Sequence, residues 1–232
     1  MNEFIDERNI NIWKSLIREY TIEIAQSQND EYHCYIISKS AIIYVDYNNI
    51  SKDSFTHELL HIYLKQKEFY LGNSLKLKIQ QSNILNRILS EQLITHIGNC
   101  LDHLKMFKTY VALGYDKKEF LLDYNVHKCN DFELSEIKNN FKIKKVITPN
   151  AIDIYIGKLV AILCDPNNDI DYSKELLEFN KLDSELYSII IQLVTQTNDF
   201  DIESKDIFNS YRDISQNFYS SIVKWINKNK IR

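Results

Sequence analysis

Glycine and proline are scarce in this chain: its 232 residues include four glycines and two prolines. These two residue types most often interrupt regular structure, so we expect long, uninterrupted elements. Apolar side chains recur at helical spacing through most of the sequence. This pattern predicts helices over residues 7–20, 54–68, 75–113 (in one or two pieces), 132–141, 148–163, 173–197 and 204–228.

A different periodicity occurs before residue 50. Two short runs, Thr21–Ala25 and Tyr32–Ile37, alternate apolar and polar side chains, and a third, Ala41–Tyr47, is the most strand-like of all. Turn-forming residues separate the three runs. Alternation with a period of two is typical of strands. We therefore predict an α+β fold that is predominantly helical, with a small N-terminal antiparallel sheet beside the helix at 54–68 and a helical C-terminal part.

The helix predicted at 54–68 carries the pattern H-E-x-x-H, formed by His57, Glu58 and His61. Histidines four positions apart lie on one face of a helix, so the two imidazoles can bind one metal ion. Glu58 follows the first histidine and can reach a water molecule held by that metal. The simpler interpretation is an amphipathic helix in which the two histidines have this spacing by chance.

A catalytic zinc site takes a third protein ligand and keeps one position for water. Two standard patterns for that ligand are not met. Leu64 and Lys67 stand where the metzincin pattern has glycine and histidine. Glu91 is followed four positions later by Thr95, where the gluzincin pattern often has an acidic residue. The third ligand is therefore sought on the helical stretch that follows the motif.

On that stretch His96, Asn99 and His103 share one helix face because they are three and four positions apart. With the aromatic residues at 107–110 and the turn at 113–116, the sequence resembles uncharacterised zincin-type, zinc-peptidase-like proteins of bacteria and phages over about residues 40–120. In those proteins an Asn-x-x-x-His helix, an aromatic residue and a Leu-Gly-Tyr-type turn follow the H-E-x-x-H helix. The resemblance points to His103 as the third ligand, and Asp102, His96 and Glu91 stay open as alternatives.

The resemblance implies a zinc-dependent hydrolase, most simply a peptidase, with Zn²⁺ held by His57, His61 and His103. Glu58 would be the general base, and Tyr110 and Tyr115 are weak candidates for oxyanion donors. The zincin-like metal-binding domain would cover residues 1–125, with a helical extension over 126–232 packed on it, or the two parts could form one continuous domain. The alternative function is a non-catalytic interaction or regulatory module.

Composition limits the other possibilities. The net charge is −4, and the small basic cluster at 142–145 is interpreted as a solvated face, so nucleic acid is not an expected partner. The four cysteines form no C-x-x-C pair, and no signal peptide or membrane-spanning run is visible. We expect a cytoplasmic protein that acts on a peptide or protein substrate, away from membranes. The oligomeric state is left open.

Overall fold

The computed structural model describes residues 3–204 and 210–232. It confirms the α+β class, with 58% helix and one three-stranded sheet. Within the described residues the elements are α1 (Ile10–Leu16), β1 (Thr21–Gln26), β2 (His33–Ile37), β3 (Ser40–Val45), α2 (Lys52–Gln66), α3 (Leu71–Gln80), α4 (Leu85–Ile88), α5 (Glu91–Ala112), α6 (Asp131–Asn140), α7 (Pro149–Leu163), α8 (Ser173–Leu182), α9 (Ser184–Asp199) and α10 (Tyr211–Lys228).

The chain divides into two compact units. The first comprises Met1–Phe69 and Lys105–Tyr124, and the second comprises Tyr70–Leu104 and Asn125–Arg232. The division of the chain predicted after residue 125 stays a prediction.

The sheet of the first unit has the order β1-β3-β2. Strand β3 takes the centre because it is the most apolar of the three, and it buries Ala41, Ile43 and Val45. Strand β2 runs antiparallel to β3, whereas β1 runs parallel to it, with Ile24 opposite Ile43. The sheet is therefore mixed and not purely antiparallel as predicted. Alternation in a sequence identifies a strand but carries no information about its neighbour or direction.

Helix α2 packs its apolar residues on α1 and on the sheet. The hydroxyl oxygen of Ser51 caps its N-terminus by accepting a hydrogen bond from the Ser54 N–H at 3.0 Å. Phe55, Leu59 and Ile62 belong to a buried cluster with residues of α1 and β3. Burial of side chains of this size contributes about 1.5–3 kcal/mol each. The packing therefore holds the H-E-x-x-H residues firmly beside the sheet.

In the second unit α3 and α5 approach each other at two glycines. A Cβ atom added to Gly72 would lie 3.0 Å from the Cα of Gly98. A Cβ atom added to Gly98 would lie 3.2 Å from the Cα of Gly72. The predicted helices leave residues 69–74 outside regular structure, but α3 begins at Leu71. The chain turns just before it, where Glu68 has a φ of 57°. Gly72 therefore serves close packing and does not interrupt the helix.

Helix α7 is the most apolar helix of the second unit and packs against α4, α6, α8 and α9. The single helix predicted over 173–197 is two helices that meet at Asp183. The carboxylate of Asp183 caps α9 by accepting from the Leu186 N–H at 2.9 Å and also accepts from the Trp225 indole N–H at 3.1 Å. These bonds explain why the chain stops and restarts a helix there.

The last helix was predicted over 204–228, and its described part is α10. Ile207, an apolar residue of that predicted helix, lies outside the described residues. Across the ranges that the structure describes, no helix has both the length and the apolar character needed to cross a membrane.

We predict that Gly98→Ala destabilises the protein by about 1–3 kcal/mol, because the new methyl group meets backbone atoms that cannot rotate away. The loss should appear although alanine favours a helix by about 1 kcal/mol over glycine. Urea unfolding measures the difference. Gly157→Ala is the matched control: its Cβ would lie 3.6 Å or more from its neighbours, so stability should be unchanged or higher. Equal effects of the two substitutions would contradict the close-packing role.

Candidate metal centre

The motif helix is buried around its first histidine. Residues 55–60 of α2 are all buried, and His57 and Glu58 are each 8% exposed. One turn later His61 is half-buried. The rings of His57 and His61 have centroids 5.2 Å apart. Helix α2 thus places two imidazoles and one carboxylate in a poorly hydrated setting.

His103 lies on α5 and completes a group of three. His57, His61 and His103 offer ring nitrogens that all lie within 4.8 Å of one another. The boundary of the two compact units falls inside α5, after Leu104, but α5 is one helix across it. In the part of the chain that the structure describes, this is the one group of three or more histidine, cysteine or acidic side chains that could hold a metal ion.

The donor set fits a zinc ion. Nitrogen ligands at about 2.0–2.1 Å from a tetrahedral ion lie about 3.4 Å from each other. The separation of up to 4.8 Å between the ring nitrogens exceeds this value by an amount that small side-chain rotations can close. Three protein ligands also leave a fourth position for water or substrate, which is the arrangement of catalytic zinc sites and not of structural ones.

The electrostatic setting favours the metal-binding form of His57. Burial, and then the charge of His61, lower the pKa of His57 to about 3, and the Phe120 backbone opposes the shift. The imidazole is therefore neutral at physiological pH, with a lone pair available for a metal. The Phe120 ring lies against it, with centroids 4.8 Å apart, and itself contacts Phe107 and Tyr110. This aromatic cluster keeps water from one side of His57.

Glu58 faces strand β2. Burial raises the pKa of its carboxyl group, while His61, the thiol and backbone of Cys34, and His33 act in the opposite direction. Cys34 and His33 belong to β2, so the carboxyl group lies beside an outer strand of the sheet. A carboxylate with a raised pKa is a stronger proton acceptor than one in water. The sequence alone did not predict this contact with β2; its only signal was the alternating pattern of the strand, in which Cys34 takes an inward position.

Two of the alternative ligands are engaged elsewhere. Glu91 is exposed, and its carboxylate accepts a hydrogen bond from Lys76 Nζ at 2.6 Å. His96 is also exposed, with Nε2 3.1 Å from the carbonyl oxygen of Gly157. Asp102 is buried next to His103 in the sequence. Among the described residues, none of these three belongs to the group that could hold a metal ion, and His103 does.

The two tyrosines considered as oxyanion donors have acidic partners. The Tyr110 hydroxyl donates to Asp53 Oδ1 at 3.2 Å, and the Tyr115 hydroxyl donates to Asp6 Oδ1 at 3.2 Å. The pKa values of both phenols are raised, chiefly by burial. The pKa of Tyr115 rises to about 12. Both side chains are buried among their neighbours. These contacts describe structural tyrosines, and no oxyanion donor is assigned.

No protein family, curated protein or solved structure matches this chain. The interpretation of the site therefore rests on its residues and geometry.

We predict that the purified protein binds about one zinc ion per chain and that His103→Ala lowers the affinity at least about tenfold, because the variant removes one of three ligands. Metal analysis and titration against a chromophoric chelator measure both quantities. His96→Ala is the control, since His96 lies seven positions earlier on α5 but bonds to Gly157. Full zinc binding by His103→Ala would move the third ligand to another residue, and a wild type that binds no zinc would contradict the site.

Proposed function

We propose that this protein is a zinc-dependent hydrolase and, more specifically, a peptidase. The observation that carries the proposal is the convergence of His57, His61 and His103, with Glu58 next to the first of them on the buried part of α2. A purely structural zinc site would use four protein ligands and would not require the adjacent carboxylate.

The chemistry follows from these side chains. His57, His61 and His103 would hold a zinc ion, which would lower the pKa of a bound water and polarise a substrate carbonyl group. Glu58 accepts the proton of the attacking water on its carboxylate and later donates that proton to the leaving amine. The buried setting of Glu58 raises its pKa and so improves it as a base. The aromatic ring of Phe120 against His57 limits the access of bulk water.

Strand β2 supports a peptide as the substrate. It lies at one side of the sheet, and in the described residues it pairs with β3 alone. Its main-chain groups on the other side can hydrogen-bond an extended peptide, as in recognition by strand addition. Because Cys34 of β2 lies beside Glu58, a peptide along this strand would pass close to the proposed base. Tyr35 and Ile37 are exposed on the same strand and could contact its side chains.

A cytoplasmic location is part of the proposal. None of the four cysteines forms a disulfide in the structure, as is usual for proteins in reducing compartments.

We predict that Glu58→Gln keeps the zinc content of the wild type and lowers peptidase activity by about 10²- to 10⁴-fold, the usual contribution of a general base. Activity is measured with a fluorescence-quenched peptide library or with labelled casein. Glu23→Gln, an exposed substitution on β1, is the control and should leave activity unchanged.

An active Glu58→Gln protein would refute the role of Glu58. A zinc-loaded wild type that cleaves no member of the library would favour the non-catalytic interaction module.

A further inference from the structure

A cysteine and a histidine form a close pair on the part of α5 that belongs to the second unit. Cys100 Sγ lies 3.9 Å from His96 Nδ1 and 3.7 Å from His96 Nε2. His96 Nε2 in turn lies 3.1 Å from the carbonyl oxygen of Gly157 on α7. Because a carbonyl group only accepts, Nε2 of the neutral ring carries the hydrogen, and Nδ1 offers its lone pair to the thiol. A base held in one tautomer beside a thiol is the arrangement that activates a cysteine.

The pair lies where a small reactant can reach it. Cys100 is partly exposed and His96 is exposed. Reactive cysteines combine partial exposure with a neighbouring base or positive charge, whereas buried cysteines without such neighbours are inert. Cys34, the other partly exposed cysteine, instead hydrogen-bonds the carboxyl group of Glu58, whose negative charge disfavours a thiolate. Cys100 is therefore the cysteine whose surroundings favour reaction.

Helix α7 runs beside this pair. The Ser90 N–H, just before α5, donates to Asp153 Oδ2 at 3.2 Å, and further along both helices His96 meets Gly157. The two helices therefore run in the same direction where they touch. They are in direct contact there, because a Cβ atom added to Gly157 would lie 3.6 Å from Leu93 Cδ1 and 3.8 Å from His96 Cδ2.

A second cysteine lies beyond that contact, at the end of α7. Cys100 follows His96 by four positions and Cys164 follows Gly157 by seven, so each cysteine stays on the helix face that makes the contact. The Cys164 N–H donates to the Val160 carbonyl group at 2.9 Å, so the helical path extends to this residue. Burial raises the pKa of the Cys164 thiol, and Cys100 adds to the rise, so the two thiols are near enough to interact.

We propose that Cys100 and Cys164 are a redox-active pair that a hydroperoxide converts to a disulfide. Cys100, with His96 as its base, is the sulfur that the hydroperoxide reaches. Cys164, which is buried, is the sulfur that closes the bond. The disulfide ties the end of α7 to the middle of α5. The proposal does not depend on zinc binding or on hydrolysis at the histidine group.

The reaction has two steps. His96 takes the thiol proton of Cys100, and the thiolate attacks one oxygen of the hydroperoxide, so an S–O bond forms as the O–O bond breaks. The leaving oxygen takes that proton from His96 and departs as an alcohol, or as water from hydrogen peroxide. The Cys164 sulfur then attacks the sulfenic acid of Cys100: an S–S bond forms, the S–O bond breaks, and water leaves with the Cys164 proton. The two thiols lose two electrons, and the peroxide gains them.

The first test treats the native protein with hydrogen peroxide in buffer freed of transition metals. Remaining thiols are blocked with iodoacetamide in denaturant, and linked peptides are identified by mass spectrometry. We expect one linkage within the chain, from Cys100 to Cys164, with a mass loss of about 2 Da that dithiothreitol reverses. Cys164→Ser should leave Cys100 as a sulfenic acid, which dimedone labels. Cys129→Ser is the matched control: Cys129 is also buried, and its loss should leave the disulfide unchanged.

The second test addresses the base. His96→Ala should slow the reaction of Cys100 with hydrogen peroxide at least about fivefold at neutral pH, because the thiol loses its proton acceptor. Near pH 10 the thiol ionises without a base, so the two rates should converge. His33→Ala, which removes an exposed histidine of the first unit, is the control and should leave the rate unchanged.

Three results would overturn the proposal. The first is the absence of a linkage between Cys100 and Cys164 in the oxidised wild type. The second is a Cys100 thiol that reacts no faster than the Cys34 thiol. The third is an equal rate for the wild type and His96→Ala at neutral pH.

Discussion

The burial of polar residues in α2 is the constraint on which the first unit depends. Thr56, His57 and Glu58 are buried in succession, and a polar group away from water is costly unless other groups satisfy it. The partners come from three directions. Asn9 donates to the Thr56 hydroxyl oxygen at 2.9 Å, the backbone of Phe120 hydrogen-bonds the His57 ring, and Cys34 of β2 hydrogen-bonds Glu58. Two of these partners, Asn9 and Cys34, precede α2 in the sequence, and Phe120 follows it. The burial of α2 therefore brings together segments from both sides of it in the chain.

Burial shifts the pKa values of the two neighbouring titratable groups in opposite directions. It lowers the pKa of His57 and raises that of Glu58, so it favours the neutral form of both. A divalent cation is the largest local charge in any site that contains one, and it favours an ionised carboxylate nearby. The same arrangement that makes Glu58 basic would therefore also make its ionisation sensitive to the occupancy of the histidine group.

Much of the fold could be predicted from sequence because helical periodicity and the H-E-x-x-H spacing are local signals. The features that were missed depend on residues distant in the sequence. The parallel pairing of β1 with β3 cannot be seen in either strand alone. Gly72 could be distinguished from a helix break only through its contact with Gly98, 26 positions later. Likewise, the resemblance suggested His103, but only the structure brings its ring close to His57 and His61.

Under the proposed peptidase function, the position of β2 at the side of the sheet has a consequence for the choice of targets. Recognition by strand addition uses backbone N–H and C=O groups, which are already hydrogen-bonded in any helix or sheet of a folded protein. A helical or sheet segment of a target could therefore lie along β2 only after it has left its own fold. Targets would then be chosen more by a low free energy of local unfolding than by their side-chain sequence. Damaged or incompletely folded chains would be preferred over intact ones.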